Sequence, residues 1–318
     1  MDSSTLQPRV HEVAGAIEAM EIRGAAAIAD AVAETLATQA AESEAETAAE
    51  LQAQLRAVAR LLLETRPTAV SLPNACRYVL RRTHGSSVET VREHTVESAE
   101  EFRARLATAQ RDLGQVGANR LQDGDTIMTH CHSTDALACV EAAIDDGKEL
   151  DAIVKETRPR KQGHITAREL AELGVDVTLV VDSAARRYMN DVDHVLVGAD
   201  AIAADGSVVN KVGTAGLAVV AREHGTPIVV AAGTLKLDPA TMTGNAVEIE
   251  MRDRGEVIDE AERAELDGIT VENPAFDVTP PRYVDAIVTE RGQFPPESIV
   301  TLMRELFGEG PTEPWQDE

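Results

Sequence analysis

The spacing of apolar residues changes once along this 318-residue chain, and that change constrains the fold more than any other feature. From about residue 10 to residue 117, apolar side chains recur every three or four residues, as Val13, Ile17 and Met20 do, and proline is nearly absent. This period places them on one face of a helix. We therefore predict a helical N-terminal domain over residues 1–117.

After residue 118, short β-branched runs alternate with stretches of helical period. Continuous apolar runs are typical of parallel strands that are covered on both faces. The predicted strands are Thr126–Met128, Ala152–Val154, Val177–Val181, His194–Val197, Pro227–Val230 and Ala286–Val288, and the predicted helices are Asp135–Ile144, Thr166–Leu173, Gly213–Glu223 and Glu297–Leu306. This order predicts a doubly wound α/β domain over residues 118–318, with ligands at the carboxyl ends of its strands.

The composition narrows the class of protein. The formal charge is −25, from 55 acidic and 30 basic residues, so the overall field repels nucleic acid and anionic lipid, and we expect neither as a partner. Excess acid, scarce lysine and 3% aromatic residues indicate a halophile, and the periodic apolar runs exclude an acidic disordered chain. The first thirty residues lack a signal-peptide core, and no window is apolar enough to span a membrane, so we predict a cytoplasmic protein.

The three cysteines have neither the number nor the spacing of a disulfide framework or a zinc site. Cys131, in T-H-C-H-S, follows a predicted strand and precedes a predicted helix, whose amino end favours a thiolate. Ser133 and Thr134 add donors there that suit a phosphate. Cys131 is therefore a candidate base. The alternative is a buried structural cysteine, which describes Cys139 better.

The segment G-A-D at Gly198–Asp200 ends another apolar run. Apolar neighbours on both sides would raise the pKa of Asp200 and keep a proton on it for general acid catalysis. Capping of a helix or turn is the alternative role. An acid of this kind and a thiol base together suit the enolization of a sugar.

Lysine is rare, with five residues against 25 arginines, and every lysine except Lys148 falls in a polar cluster between Cys131 and the end of the segment G-T-L-K-L-D-P. Asn210 and Lys211, in N-K-V-G-T, precede a predicted helix, and Lys236 follows a predicted strand. Both lysines would bind a phosphate as point charges, and the amides of Gly213-Thr214 would add donors.

The segment E-T-R-P-R-K-Q-G holds three cations within four residues, at Arg158, Arg160 and Lys161. They either bind a polyanion or form salt bridges at a subunit contact, and the pattern favours neither.

Two segments interrupt the helical half. One is Arg23-Gly24-Ala25-Ala26, where glycine lets the backbone approach an anion, and the other has Arg66 before a proline that ends a helix. A solvated arginine is the alternative for both. The Ala/Glu-rich stretch Ala41–Glu50 is predicted to be a solvated helix face or a short connection, and the tail Gly308–Glu318 is predicted to fray.

Taken in order, seven segments resemble the superfamily that joins methylthioribose-1-phosphate isomerase, archaeal ribose-1,5-bisphosphate isomerase and the regulatory subunits of eukaryotic initiation factor 2B. They are I-R-G-A at Ile22–Ala25, R-P-T-A-V at Arg66–Val70, T-H-C-H-S, E-T-R-P-R-K-Q-G, V-G-A-D-A-I, N-K-V-G-T and N-P-A-F-D-V-T-P at Asn273–Pro280. The resemblance spans nearly the whole chain. It implies a helical N-terminal domain, a Rossmann-like C-terminal domain, and an active site between the two near a subunit interface.

The most similar branch is ribose-1,5-bisphosphate isomerase, and the source would be a haloarchaeon. That resemblance implies that Cys131 removes the C2 proton of α-D-ribose 1,5-bisphosphate and that Asp200 protonates the ring oxygen, giving ribulose 1,5-bisphosphate in nucleotide breakdown. It implies no metal or organic cofactor, a small-molecule sugar bisphosphate as partner, and dimers that assemble into a hexamer. The phosphate ligands it implies are Arg23, Gly24, Ala25, Ala26, Arg66, Ser133, Thr134, Asn210, Lys211 and Lys236.

Two other functions stay open at this point. A methylthioribose-1-phosphate isomerase would need an apolar pocket for the methylthio end, whereas Arg23, Arg66, Lys211 and Lys236 supply cations for two phosphates. A noncatalytic translation-regulatory subunit would have no need for the cysteine and aspartate pair.

Overall fold

A computed structural model describes residues 6–265, 268–308 and 313–316 of the chain. The chain divides into two compact units, Met1–Ala109 with Phe307–Glu318, and Gln110–Leu306. The predicted fold class is confirmed, since helices alone form the first unit and a mostly parallel sheet forms the second. Helix α5 (Val88–Ala118) belongs to both units, and the domain boundary at 117/118, which lies near its end, stays a prediction.

Besides α5, the first unit contains helices α1 (Pro8–Glu18), α2 (Ala25–Glu42), α3 (Ala48–Thr65) and α4 (Ser71–Leu80). Their apolar stripes meet in a core that includes Ile17, Leu36, Leu51, Leu55, Leu62 and Leu72, all fully buried. Residues 43–47 connect α2 to α3, so the stretch Ala41–Glu50 is largely the predicted connection. A connection this short makes the two helices antiparallel, which places the start of α2 and the end of α3 at the same end of the pair.

The end of the chain is not frayed where the structure describes it. Arg77 Nε, on α4, donates to Glu313 Oε2 at 2.8 Å, and the Arg77 guanidinium also lies 5.4 Å from the centre of the Trp315 ring. The predicted fraying is therefore wrong for residues 313–316, because a buried arginine holds them. Residues 309–312 and 317–318 lie outside the described residues.

The second unit is built on a seven-stranded sheet. Its strands are β1 (Thr126–His130), β2 (Asp151–Lys155), β3 (Asp176–Val180), β4 (His194–Val197), β7 (Ile228–Ala231), β9 (Ala286–Thr289) and β10 (Gly292–Phe294), in the spatial order β10-β9-β7-β4-β1-β2-β3. The helices that follow are α6 (Thr134–Asp145), α7 (Gly163–Glu172), α8 (Ala185–Tyr188), α9 (Thr214–His224), α10 (Glu260–Glu265) and α11 (Ile299–Phe307). All six predicted strands are present, and every pair is parallel except β9 with β10.

A second sheet, which the sequence did not predict, lies outside the parallel one. It consists of β5 (Ala201–Ile202), β6 (Val208–Lys211) and β8 (Phe276–Thr279), all antiparallel. Asn210 and Lys211 lie within β6. N-K-V-G-T therefore begins inside a strand of this second sheet, and not at the carboxyl end of a parallel strand, where the sequence predicts ligands. None of the helices in the described ranges has the length and apolar character needed to cross a bilayer.

Candidate functional site

Cys131 sits in a strained turn directly after β1. Its φ of 72° is in the left-handed region, which a residue with a Cβ adopts only where its surroundings hold it. Two threonines fix the turn: Thr157 Oγ1 accepts the Cys131 N–H at 2.8 Å, and Thr166 Oγ1 donates to the Cys131 carbonyl at 2.9 Å. These two hydrogen bonds hold the Cys131 backbone, and with it the thiol, in a conformation that the unfolded chain would rarely adopt.

The Cys131 thiol is held in its protonated form. Its pKa is raised to about 11, chiefly by burial; the Asp200 carboxylate also raises it, whereas the His132 N–H, Lys211 and Arg252 lower it. The expectation that the nearby helix start favours the thiolate is wrong, because the helix begins at Thr134 and desolvation of the sulfur outweighs the local donors. Cys139 is buried as well, and its thiol donates to the Asp135 carbonyl at 3.2 Å, as expected for a structural cysteine.

Asp200 joins β4 to β5 and has the raised pKa that the sequence predicted. The residue is exposed to solvent, yet the protein around its carboxyl desolvates the charge and raises the pKa, while Lys236, Lys211 and Arg252 lower it. Because Asp200 precedes a strand, it is not the helix cap that the alternative required. The Asp200 carboxylate raises the pKa of the Cys131 thiol, so the two predicted catalytic groups lie within electrostatic range of one another.

Lys211 lowers the pKa of both Cys131 and Asp200. Only 5% of its surface is exposed, its Nζ donates to the Ala275 carbonyl at 3.0 Å, and it lies 4.8 Å from the centre of the Phe276 ring. Burial lowers its pKa, and Arg252 lowers it too, whereas Cys131 and Asp200 raise it. A buried ammonium of this kind binds an anion strongly because water screens it little.

Asn210, beside Lys211, is tied to the next helix. Its Nδ2 donates to Thr214 Oγ1 at 3.0 Å, and that hydroxyl donates to the Lys211 carbonyl at 2.7 Å. The amide oxygen of Asn210 is the part of the side chain that this network does not use.

Ser133, Thr134 and Lys236 lie around the start of α6. Ser133 caps this helix by accepting the Ala136 N–H at 3.2 Å, and a Cβ on Gly198 would meet the Ser133 hydroxyl at 2.2 Å, so the G-A-D segment needs its glycine. Thr134 is exposed, and Lys236 Nζ lies 3.3 Å from the Asp135 carboxylate. These three residues and Asp200 therefore belong to one edge of the sheet.

The start of α9 is not an open phosphate site. The Asp277 carboxylate accepts the N–H groups of Gly213 at 2.7 Å and Ala215 at 3.1 Å. The prediction that the amides of Gly213 and Thr214 serve a phosphate is therefore wrong for Gly213, since an acid from β8 already occupies that helix end. Asp277 belongs to the segment N-P-A-F-D-V-T-P, which the sequence analysis singled out. Nothing in the sequence indicated that its carboxylate would accept from the start of α9.

Two of the three cations after β2 contact a later segment of the same unit. Arg160 Nε donates to Glu256 Oε1 at 3.0 Å, and Arg158 Nη2 donates to the Val257 carbonyl at 3.4 Å. Lys161 is exposed, with a φ of 55°. Neither alternative foresaw that Arg158 and Arg160 hold a later segment of their own chain.

The remaining predicted ligands lie in the first unit. Arg23, Gly24 and Ala26 are exposed at the start of α2, Ala25 is its first residue, and Gly24 has a φ of 87° that suits glycine. Arg66 is half-buried at the end of α3, at the same end of the helix pair. Their role as ligands stays a prediction.

Sequence reasoning missed four residues of the site: Thr157, Thr166, Arg252 and Asp277. Thr157 and Asp277 stood in segments already singled out, whereas Arg252 stood in none. In the described residues, no group of three or more His, Cys, Asp or Glu side chains has the arrangement of a metal site.

Comparison with known proteins places this geometry in context. Residues 21–296 match the model of the Initiation factor 2 subunit family. A ribose 1,5-bisphosphate isomerase of Haloferax volcanii is 71% identical over 98% of this chain and 97% of its own length. One of Thermococcus kodakarensis is 49% identical over 97% of this chain and 98% of its own.

More distant relatives share the architecture. A methylthioribose-1-phosphate isomerase of Thermosipho africanus is 38% identical over 92% of this chain and 90% of its own. The crystal structure of the translation initiation factor eIF-2B, subunit delta, from A. fulgidus is 39% identical, with a TM-score of 0.70 over 93% of this chain and 91% of its own.

Proposed function

This chain belongs to the Initiation factor 2 subunit family, and we propose that it isomerises α-D-ribose 1,5-bisphosphate to D-ribulose 1,5-bisphosphate. The observation that carries the proposal is the 71% identity, over nearly its whole length, to a ribose 1,5-bisphosphate isomerase. The site supports it, because a thiol and a carboxyl influence each other beside a buried lysine. The methylthioribose-1-phosphate isomerase is much less similar, at 38%.

The reaction needs one base and one acid and no redox partner. In the proposed reaction, the Cys131 thiolate takes the C2 proton, a C1–C2 double bond forms, and the C1–O4 bond breaks as O4 takes the proton of Asp200. The enol then collapses: C1 takes the proton held on sulfur, and the C2 hydroxyl returns its proton to the Asp200 carboxylate. Both side chains end as they began, so every proton is accounted for.

The pKa values of Cys131 and Asp200 determine the fraction of molecules in which both groups have the protonation state that the reaction needs. The reactive form has a thiolate and a carboxylic acid. At a pH between the two pKa values the resting form has a thiol and a carboxylate, so the two forms have the same net charge. The reactive fraction falls tenfold for each unit that separates the pKa of Cys131 from that of Asp200. Desolvation that raises the pKa of Asp200 narrows this gap, whereas Lys211 lowers the pKa of both groups.

Phosphate binding would come from cations and hydrogen-bond donors. We propose Lys211, Lys236, Asn210, Ser133 and Thr134 for this role. The same role is proposed for the segment Arg23–Ala26 and for Arg66. Assembly into dimers and a hexamer, and a cytoplasmic location, belong to the same proposal. The acidic composition and the Haloferax volcanii relative favour assays in concentrated salt.

The test is turnover of ribose 1,5-bisphosphate in molar KCl, with ribulose 1,5-bisphosphate detected by coupling to ribulose bisphosphate carboxylase. Cys131→Ser and Asp200→Asn should each lower kcat by at least ~100-fold and leave the thermal midpoint close to that of the unaltered chain, because each removes a proton-transfer group and little packing. Cys139→Ser changes a buried thiol in the adjacent helix and should retain most of the activity, so it is the matched control.

Methylthioribose 1-phosphate is the second substrate to be tried. A kcat/KM for this monophosphate that equals or exceeds the value for the bisphosphate would replace the proposal by the other isomerase activity. Absence of product from both substrates, with a folded protein, would remove the catalytic proposal and favour a regulatory subunit.

A further inference from the structure

We propose that Arg252 is a further phosphate-binding residue of this site, acting as a pair with Lys211. The proposed function supplies only the identity of the ligand, a sugar phosphate. The argument comes from the position of Arg252, the charges around it, and the hydrogen-bond donors that its neighbours leave unused.

Arg252 and Lys211 are held on the same aromatic ring. The Arg252 guanidinium carbon lies 5.8 Å from the centre of the Phe276 ring, and Lys211 Nζ lies 4.8 Å from it. Both residues line the same small cavity, which is partly open to solvent, together with Arg160, Gln162, Asn273 and Ala275. The cavity therefore brings two cations from distant parts of the sequence to one wall.

The segment that carries Arg252 is fixed by polar contacts. The Arg252 N–H donates to the Asn273 carbonyl at 2.8 Å, and Asn273 Nδ2 donates to the Asp253 carbonyl at 2.8 Å. Glu256, further along, accepts from Arg160 at 3.0 Å. The cations of E-T-R-P-R-K-Q-G thus have a structural use, since Arg160 helps to hold Arg252 beside Lys211.

The side chain of Arg252 keeps donors available. Its Nε donates to Glu250 Oε1 at 3.1 Å, and its side chain is only 12% exposed. Among the described residues, neither Nη1 nor Nη2 has a hydrogen-bond partner, and the Lys211 ammonium has one, the Ala275 carbonyl. A guanidinium fork with two open nitrogens matches two phosphate oxygens.

The local charges leave room for an anion. Glu256 is matched by Arg160 and Glu250 by Arg252, so no acid in this cavity wall pairs with Lys211 among the residues that the structure describes. Arg252 also lowers the pKa of Lys211, which is the mark of two like charges held close together. Such a pair is unfavourable by itself and becomes favourable when a phosphate lies between the two cations.

The competing interpretation is structural: Arg252 would only anchor its segment to Glu250 and Phe276. The affinity for inorganic phosphate distinguishes the two interpretations. It is measured by calorimetry in molar KCl on the unaltered full chain and on its variants Arg252→Gln, Arg252→Lys and Arg254→Gln. Arg254 is exposed two residues away, so its glutamine variant removes the same charge from the same segment and is the matched control.

Arg252→Gln should weaken phosphate binding, and raise the KM for ribose 1,5-bisphosphate, by about tenfold or more, since charge-assisted hydrogen bonds are lost. Arg254→Gln should change neither by more than about twofold. Arg252→Lys should recover part of the loss because it restores the charge without the fork. Equal phosphate affinity in Arg252→Gln and Arg254→Gln would overturn the proposal.

The two proposals fail in different ways. If the unaltered chain binds phosphate through Arg252 but produces no ribulose 1,5-bisphosphate, the isomerase function fails and the phosphate site stands. If turnover is normal and Arg252→Gln behaves as Arg254→Gln does, the function stands and this inference fails. Thermal midpoints of all variants show whether any loss comes from unfolding, in which case Arg252→Lys, which keeps the long cationic side chain, gives the decisive comparison.

Discussion

We expect that removing the hydroxyl of Thr157 will lower kcat by more than the loss of stability alone can explain. Thr157 is fully buried, its Oγ1 accepts the Cys131 N–H at 2.8 Å, and it donates to the Lys155 carbonyl at 3.1 Å. Thr157→Val keeps the shape and the β-branching and removes these hydrogen bonds, together with the contact between Thr157 Oγ1 and His130 Nδ1 at 3.3 Å. The Cys131 N–H is then left buried without its acceptor.

The cost in stability follows from that single unsatisfied donor. A buried N–H without a partner costs about 1–3 kcal/mol of the free energy of unfolding. For a domain of about 200 residues, a loss of about 2 kcal/mol lowers the thermal midpoint by about 4–8 °C. Circular dichroism in molar KCl measures the shift.

The cost in catalysis follows from the geometry of the Cys131 turn. Its φ of 72° persists only because hydrogen bonds hold it, so losing one lets the thiol move from the C2 proton. A displacement of about 1 Å costs about 100-fold in rate, so kcat for ribose 1,5-bisphosphate should fall by about 10- to 100-fold.

Thr289→Val is the control that separates the two effects. Thr289 is also fully buried, and its Oγ1 accepts the Arg291 N–H at 3.0 Å and donates to the Gly292 carbonyl at 3.2 Å. It ends β9, which β7 and β4 separate from β1. Both variants should lose similar stability, but only Thr157→Val should lose rate. Equal kcat in the two variants would refute the positioning role of Thr157.

Two further predictions address the acid and the base. Gly198→Ala places a Cβ 2.2 Å from the Ser133 hydroxyl, so it should lower the free energy of unfolding by about 1–3 kcal/mol and reduce activity. Adding Ser133→Gly to the same chain removes the clash and should recover most of the stability. A double-mutant cycle of thermal midpoints measures this recovery. Because the reactive form differs from the resting form by a proton moved from Cys131 to Asp200, kcat/KM should be flat at every pH that lies above the pKa of Asp200 and below that of Cys131. The thiol pKa of about 11 is the upper limit of this range, so a tenfold rise in kcat/KM per pH unit within it would show that only the thiolate, and not protonated Asp200, limits the rate.

The sequence predicted the parts of the fold that local pattern determines. Each strand of the parallel sheet that it predicted is a short β-branched run, and β4 has the predicted bounds of His194–Val197. The strands it missed are two to four residues long, and β6 pairs with β8 across more than sixty residues of chain. Pairing over such a distance leaves no period in either segment, so hydrophobic spacing cannot detect it.

The site divides in the same way. Cys131 and Asp200 were predictable because each follows a buried strand, and parallel strands end at a common edge. The threonine that holds the cysteine turn and the aspartate on the start of α9 were not, since each acts through a hydrogen bond to a residue 26 or more positions away. The roles of these two residues depend on which groups lie next to them in the folded chain, and residue type alone does not show this.

Anion binding explains only some of the few lysines in this chain. Most of them are surrounded by protein, whether or not they belong to the site. Lys155 and Lys211 are buried, with 3% and 5% of their surface exposed, and backbone carbonyls accept from both ammonium groups. Lys148 likewise donates to the Ala118 carbonyl, and Lys236 pairs with Asp135. Concentrated salt screens exposed charges within a few ångströms, whereas a desolvated ammonium keeps its interactions. The chain therefore keeps lysine mainly where protein surrounds it, and of these residues Lys211 and Lys236 are the two that act on the Asp200 carboxyl.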